Sequence, residues 1–545
     1  MTKKPVDRRI HGFSSHQWTR GFSSVALLCP DLRRCQVERF TSTINSPEGC
    51  MKEPANRHTQ IDSLLPAPPR DQKYAWGKPG DQSVVASLKA AGDSSYQVDV
   101  DQPYAEMWIG THPSGPSNLL TNSGRVGPLL KDHLASEPEA LGDIAHKGDL
   151  PFLFKVISIN KALSIQAHPN KKLAERLHAE RPDVYADDNH KPEMAVTLSD
   201  FEALCGFRPF QEIIWNLNFY PELRALVSLD AIHQMMTAEN DIERQKFALR
   251  ELFRSYNNAD KETVKTQIDR LVKRLDWASG IPLVGEQDPG MFETGINAQG
   301  AEEGDEEDAQ KTQFTEQMFE ARFRQGCPTS EALDKRMKND TPDVVRVMLR
   351  LSTEYPGDLG ILMPLVLNLL MLKTGQAFFM TVDEPHAYLR GDILECMACS
   401  NNVVRCALTP KFRDVDLLVD MLSYNMAAPA VLRPHVIDDN RKRFTPPVDV
   451  FEIEMINVPG NDAYRLNPMP VPAVLVTLHG AQGGLLLDED TGKEIPAAEG
   501  GIFFLPANTY CTMVSGKTSD LRIAMAHTNL NWGPVTPRGT GAPNF

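Results

Sequence analysis

Gln166, His168, Glu193 and His386 lie far apart in the chain, yet together they offer one amide oxygen, two imidazoles and one carboxylate. That donor set suits a divalent ion of the zinc type, with a position left for water or substrate. In Leu163 to His168 alternate side chains of an extended strand share a face, so Ser164, Gln166 and His168 point one way and Leu163, Ile165 and Ala167 the other. Glu193 follows Pro192, which rules out a helix interior, so Lys191 and Glu193 share one face of an extended segment. His386 follows Pro385 and precedes Gly391-Asp392, where a strand is expected to turn at a barrel mouth. A single anionic ligand among the donors leaves a divalent ion at roughly +1, still electrophilic and attractive to oxygen anions.

Further along, Glu395 stands on the face opposite Leu394, and Arg405 follows on the next strand. Arginine keeps its proton and presents a planar fork, which suits it to phosphate or to a developing oxyanion. Phosphate recognition can draw on Lys155, Lys191, Arg405 and Lys411. There is no GxxxxGK[ST] loop, no strand-linked GxGxxG and no GxSxG elbow, so nucleotide and serine-hydrolase chemistry have no anchor. Cys396-Met397-Ala398-Cys399 reads as buried thiols on a strand, because no second pair or histidine stands at finger spacing. Sugar or small-acid chemistry around a bound metal remains.

The elements that must position these residues are mostly strands. From Tyr74 to Phe207 short strands such as Phe152 to Ile159 alternate with turn signals, with helices near Ser83 to Ala91 and Lys171 to Glu180. After Phe210 apolar residues recur at three and four spacing, and the run Ile361 to Leu372 reads as a buried helix, short of the ~20 residues that span a bilayer. Strand alternation returns at Gln376 to Leu408 and from Val448 to His527. The reading is a mainly β protein with an α-helical insertion: two cupin-type jelly-roll barrels plus a helical domain. Its boundaries are a disordered or transit-like extension at 1–70, a catalytic barrel from 71–209 and 374–430, a helical insertion at 210–373, and a C-terminal barrel at 431–545. The acidic stretch Ala301 to Asp308 marks a solvated loop at 284–340 inside the insertion. Ordered structure is expected to begin near Tyr74.

The whole chain has 545 residues, enough for about three or four domains. With 57 basic and 72 acidic residues its net charge is -15, so it repels nucleic acid and anionic membranes, and an anionic substrate needs a local basic pocket. Nine scattered cysteines suit a reducing compartment. Residues 1–34 are rich in arginine and poor in acids but show no long amphipathic face. A cytoplasmic, monomeric protein acting on a small molecule is expected, with no nucleic-acid or membrane partner.

Six blocks carry a resemblance: Tyr74 to Lys78 (YAWGK), Tyr104 to Pro113 (YAEMWIGTHP), Gln166 to Pro169 (QAHP), Asn189 to Met194 (NHKPEM), Glu384 to Leu389 (EPHAYL) and Leu408 to Phe412 (LTPKF). In this order they resemble the type I mannose-6-phosphate isomerases, in a fungal-like form, and the resemblance spans roughly residues 72–425. It implies that Gln166, His168, Glu193 and His386 hold one Zn2+ per chain. It also implies Arg405 as the catalytic residue and a substrate pocket lined by Ser164, Lys191, Glu395 and Lys411, and Lys155 and Tyr388 are read as further substrate-binding residues. The implied reaction interconverts mannose 6-phosphate and fructose 6-phosphate through an enediolate, feeding GDP-mannose synthesis and glycosylation. Glu395 or Lys191 would carry the proton: a carboxylate needs a raised pKa for this and a lysine a lowered one. The chain departs from the family pattern at Asn401, where aspartate is usual, and at Ala407, where glycine is usual. The alternative reading is a catalytically silent cupin that binds sugar phosphate.

Overall fold

The computed structural model describes residues 60–65, 74–121, 124–277, 331–429, 431–480 and 483–530. Its centre is the long strand His386–Ala398, one of ten strands in a single branched sheet. The first residues of this strand pair antiparallel with Phe201–Phe207 and Ile165–Ala167, and its last with Phe152–Ile159 and Glu193–Thr197. The exchange of partners occurs at Gly391, whose φ is +121° and whose absent Cβ would lie 2.6 Å from the Asp200 carbonyl oxygen. Only glycine fits there without strain. Leu367–Leu372, Ala377–Met380, Val404–Ala407, Glu106–Ile109 and Val431–Leu432 complete the sheet.

Strict alternation sorts the side chains of these strands. Phe152, Phe154, Val156, Met194, Val196, Leu394 and Cys396 share one core with Ile453, Val474, Val476 and Phe504 of a second, nine-stranded sheet, and with Phe451 just before its strand Glu452–Val458. Ile165, Ala167, Leu204, Leu389 and Val404 pack instead against helices. Burying one such Leu or Phe stabilises by roughly 1.5–3 kcal/mol, which fixes the register, because a slip of one residue would turn every side chain over. The intervening positions, Glu106, Trp108, Lys155, Glu193 and Glu395, are therefore committed to the opposite face. Ile157, Ala195 and Ile393 line that face lower down.

The helices Phe210–Phe219, Leu229–Thr237, Ile242–Asn258, Lys261–Trp277 and Glu331–Glu354 follow their apolar spacing. Along Ile242–Asn258 the buried residues include Leu249, Leu252, Phe253 and Tyr256, and its N-cap Asp241 accepts from the amides of Glu243 and Arg244. Among the described residues no helix is long and apolar enough to cross a membrane. The nine-stranded sheet faces a four-stranded one, Ala463–Leu466, Cys511–Val514, Leu485–Asp488 and Lys493–Pro496, around a core of its own.

Several expectations change. Ordered chain begins before Tyr74: Asp62–Leu65 is a strand between Ile502–Leu505 and Asn118–Leu120, a four-residue element too short to announce itself by periodicity. Asn118–Leu120 and Val126–Leu129 accordingly extend the nine-stranded sheet and not the ten-stranded one. The run Ile361 to Leu372 is not one buried helix. Leu359–Leu365 is a 3-10 turn ending near Pro364, and Leu367–Leu372 is a strand paired with Phe201–Phe207. A continuous apolar run leaves helix and buried strand indistinguishable, and the proline decides between them. Of the loop expected at 284–340, residues 284–330 lie outside the described residues, while Glu331 to Asp340 begin a helix. The extension expected at 1–70 likewise lies outside them, apart from residues 60–65.

Candidate metal centre and catalytic cavity

Three neighbouring strands bring His168, Glu193 and His386 together. One donor atom from each lies within 4.8 Å of the others, and all three residues are buried. His386 Nε2 is 3.1 Å from one Glu193 oxygen, and His168 Nε2 is 3.5 Å from the other. His168 Nδ1 donates to the Asn402 carbonyl at 2.7 Å, and His386 Nδ1 meets the Glu384 carbonyl at 3.2 Å. A carbonyl only accepts, so both rings carry their proton on Nδ1 and turn the Nε2 lone pair inward. Both Nε2 atoms are buried without a hydrogen-bond partner among the described residues. Two lone pairs aimed at a carboxylate repel one another unless a cation lies between them. Orphaned imidazole nitrogens around an acid thus fit a divalent metal, and the Nδ1–H to carbonyl bonds are the usual support of metal-bound histidine.

Charge around the cluster agrees. Burial, with Lys191 adding to it, drives the His168 imidazole down to about 4 despite the pull of Glu193, so the ring is neutral at neutral pH. Burial would raise the Glu193 carboxyl, but Lys191 and the two imidazoles outweigh it and hold the group well below the usual carboxylate range. Lys191 Nζ lies 3.1 Å from Glu193 Oε1, and both side chains are buried. Gln166 is the cross-strand partner of both His386 and Arg405, its half-buried side chain on the face away from Ile165 and Ala167.

Below the cluster is a second group. Glu395 uses both oxygens: Tyr388 Oη donates to one at 2.6 Å and Lys155 Nζ contacts the other at 2.8 Å. Burial opposes charge on Lys155, but Glu395 and Glu106 outweigh it and keep the ammonium protonated. Lys155 also lies 5.0 Å from the centre of the Trp108 ring, whose Nε1 donates to Glu106 Oε2 at 2.5 Å. Burial pushes the Tyr388 hydroxyl well above its ordinary value, and Glu395 adds to this. The half-buried Arg405 guanidinium has no hydrogen bond or ion pair among the described residues, and burial works against its charge. It is a cation without a counter-ion.

Two of the expected pocket residues stand apart from these contacts. Lys411 is exposed, and no hydrogen bond or ion pair among the described residues joins its side chain, or that of Ser164, to these groups. Glu106 and Trp108 carry no role in the sequence reading. The available signal was an acidic and an indole side chain at alternate positions of a strand whose other face is apolar. Also unassigned was Asp187, whose carboxylate accepts from Ser400, Asn401 and Asn402.

A family profile described as "Phosphomannose isomerase type I, catalytic domain" matches residues 64–210. The mannose-6-phosphate isomerase of Mus musculus is 36% identical over 469 residues, covering 84% of this chain and 96% of that protein. Mannose-6-phosphate isomerase 1 of Arabidopsis thaliana is 35% identical over 460 residues, covering 84% and 92%. Among solved structures, a lysine-to-alanine mutant of phosphomannose isomerase from Salmonella typhimurium aligns with a TM-score of 0.63 at 25% identity, over 86% of this chain and all of that one. A mannose 6-phosphate isomerase bound with zinc and yttrium aligns with the same TM-score and identity over 87% of this chain. With relatives this similar along nearly their whole length, and with a buried histidine–carboxylate cluster at the centre of the matching fold, the chain belongs to the mannose-6-phosphate isomerase family and is an isomerase of it.

Proposed function

We propose that this isomerase uses one zinc ion per chain, held by Gln166, His168, Glu193 and His386, to interconvert mannose 6-phosphate and fructose 6-phosphate through an enediolate. The observation that carries the reading is the convergence on one buried carboxylate of two buried imidazole nitrogens that have no hydrogen-bond partner among the described residues. When bound, the ion supplies positive charge toward the sugar's carbonyl and hydroxyl oxygens.

The chain's own residues do the rest. Moving the carbonyl from the first carbon to the second requires proton removal from the carbon beside it, and the negative charge spreads over two oxygens. Arg405, half-buried and without a counter-ion, offsets that charge. Glu395 and Lys191, both buried near the cluster, are the groups assigned to proton transfer. Tyr388 and Lys155 fix the orientation of Glu395, and Ser164 and Lys411 complete the proposed substrate-binding set. The two β-units are read as cupin-type jelly-roll barrels flanking a helical domain. The product supplies GDP-mannose synthesis and glycosylation from a cytoplasmic, monomeric enzyme.

Incubation of mannose 6-phosphate in heavy water tests this. Native protein is expected to carry deuterium into the hexose, metal-stripped protein none. Arg405→Ala should retain zinc and turn over more than about 10-fold more slowly, as expected for loss of a transition-state charge partner. Binding without label from the native protein would instead identify a silent sugar-phosphate binder. Comparing Glu395→Gln with Lys191→Ala then assigns the proton, because the variant lacking the carrier loses label exchange along with turnover.

A further inference from the structure

Two segments that the sequence leaves without a role, Asp187 to Asn189 and Cys399 to Asn402, are bound to each other beside the metal cluster. Asp187 Oδ1 accepts from Ser400 Oγ at 2.7 Å, from the Asn189 amide at 3.1 Å and from Asn402 Nδ2 at 3.1 Å. Its Oδ2 accepts from the Asn401 amide at 2.7 Å, and its backbone carbonyl accepts from Asn402 Nδ2 at 2.7 Å. Asn189 Nδ2 returns a bond to the Cys399 carbonyl at 3.0 Å. One carboxylate therefore organises a short loop whose last member, Asn402, presents the carbonyl that receives His168 Nδ1–H at 2.7 Å. The same carboxylate fixes the chain just upstream of Lys191 and Glu193, and the loop leads directly into the strand that carries Arg405.

We propose that Asp187 is a positioning residue for the metal centre: it holds the Asn402 carbonyl in place and so fixes the tautomer and direction of His168. This rests on the reading that His168 is a metal ligand. An anionic acceptor suits the position because every group facing it is an N–H or O–H donor, and bonds to a charged acceptor are about twice as strong as neutral ones. An asparagine there would turn an N–H toward at least one of those donors, whichever way its amide is set. The loop would then loosen, and the His168 ring would gain freedom to rotate away from Glu193.

The test compares native protein with Asp187→Asn, Asp187→Ala and Asn402→Ala. Zinc affinity is read by competition with a chromophoric chelator, and the melting temperature is read on the metal-free proteins. The expected result is a 10- to 100-fold weaker zinc affinity for both Asp187 variants, the range typical of lost support behind a metal ligand. The Asn402 variant should show a smaller loss, since the carbonyl itself remains. If Asp187→Ala fails to fold, Asp187→Asn decides. Unchanged zinc affinity in Asp187→Asn overturns the proposal, whether or not its metal-free protein melts earlier, because that pattern belongs to a loop brace with no bearing on the metal. Native protein that binds no zinc would refute the metal reading itself.

Discussion

At the residue scale, the centre depends on one negative charge. Glu193 is the sole acid among the proposed ligands, and Lys191 already lies 3.1 Å from it. Glu193→Gln keeps size and burial and removes the charge, so Lys191 and a divalent ion would face one another with nothing between them. Zinc retained after dialysis, measured by atomic absorption, should fall below one part in ten of native. Turnover should fall at least about 100-fold, beyond the loss usual for support residues. Zinc retained at native level in this variant would place the ion elsewhere. The residues legible from sequence were those whose type is unusual for a strand interior: His168, Glu193, His386, Glu395 and Arg405. Asp187 was not legible, because an aspartate in a polar loop has an ordinary explanation and only the contacts distinguish it.

At the element scale, the nine-stranded sheet carries its own buried charges. Glu454, on Glu452–Val458, accepts from Arg441 Nη2 at 2.9 Å and from Arg443 Nε at 2.6 Å, and His527 Nε2 lies 3.3 Å away. Burial would raise this carboxyl, but His527 and Arg441 outweigh it and hold it at about 2 against an ordinary 4.5. A carboxyl depressed in the folded state stabilises fully above its unfolded value, and that contribution is lost as pH falls from about 4.5 toward 2. Glu454→Gln should therefore lower the melting temperature at pH 7, and the gap from native should narrow steadily toward pH 2.5 in parallel thermal scans. A gap that stays constant with pH would mean that the carboxylate's charge contributes nothing. Element positions in this molecule were legible where a period ran for two turns or more, as in Lys171–Glu180. They failed at Asp62–Leu65, where four residues give no period, and at Leu367–Leu372, where a run apolar on both faces gives none either.

At the scale of the whole molecule, the two sheets share one apolar core, so the strands bearing Lys155, Glu193 and Glu395 are braced from behind by residues such as Phe451 and Phe504. The helices brace the strand bearing Gln166 and the one bearing Arg405 from their outer faces, through Ile165, Ala167 and Val404. This division was legible only in outline. Sequence alternation shows that a strand has two unlike faces; it does not show that Asn118–Leu120 would join the far sheet, which it does through Asp62–Leu65, itself paired on its other edge with Ile502–Leu505 hundreds of positions away. What the braces hold is the cluster of His168, Glu193 and His386, which in the proposed enzyme is completed by a zinc ion that turnover requires. The most direct measurement follows zinc content and isomerase turnover on one preparation as purified, after exhaustive chelation, and after stepwise return of zinc. The expected result is one zinc per chain, turnover abolished on removal, and recovery in proportion to zinc until that single equivalent is restored. Metal-free protein that isomerises mannose 6-phosphate at the native rate would contradict it.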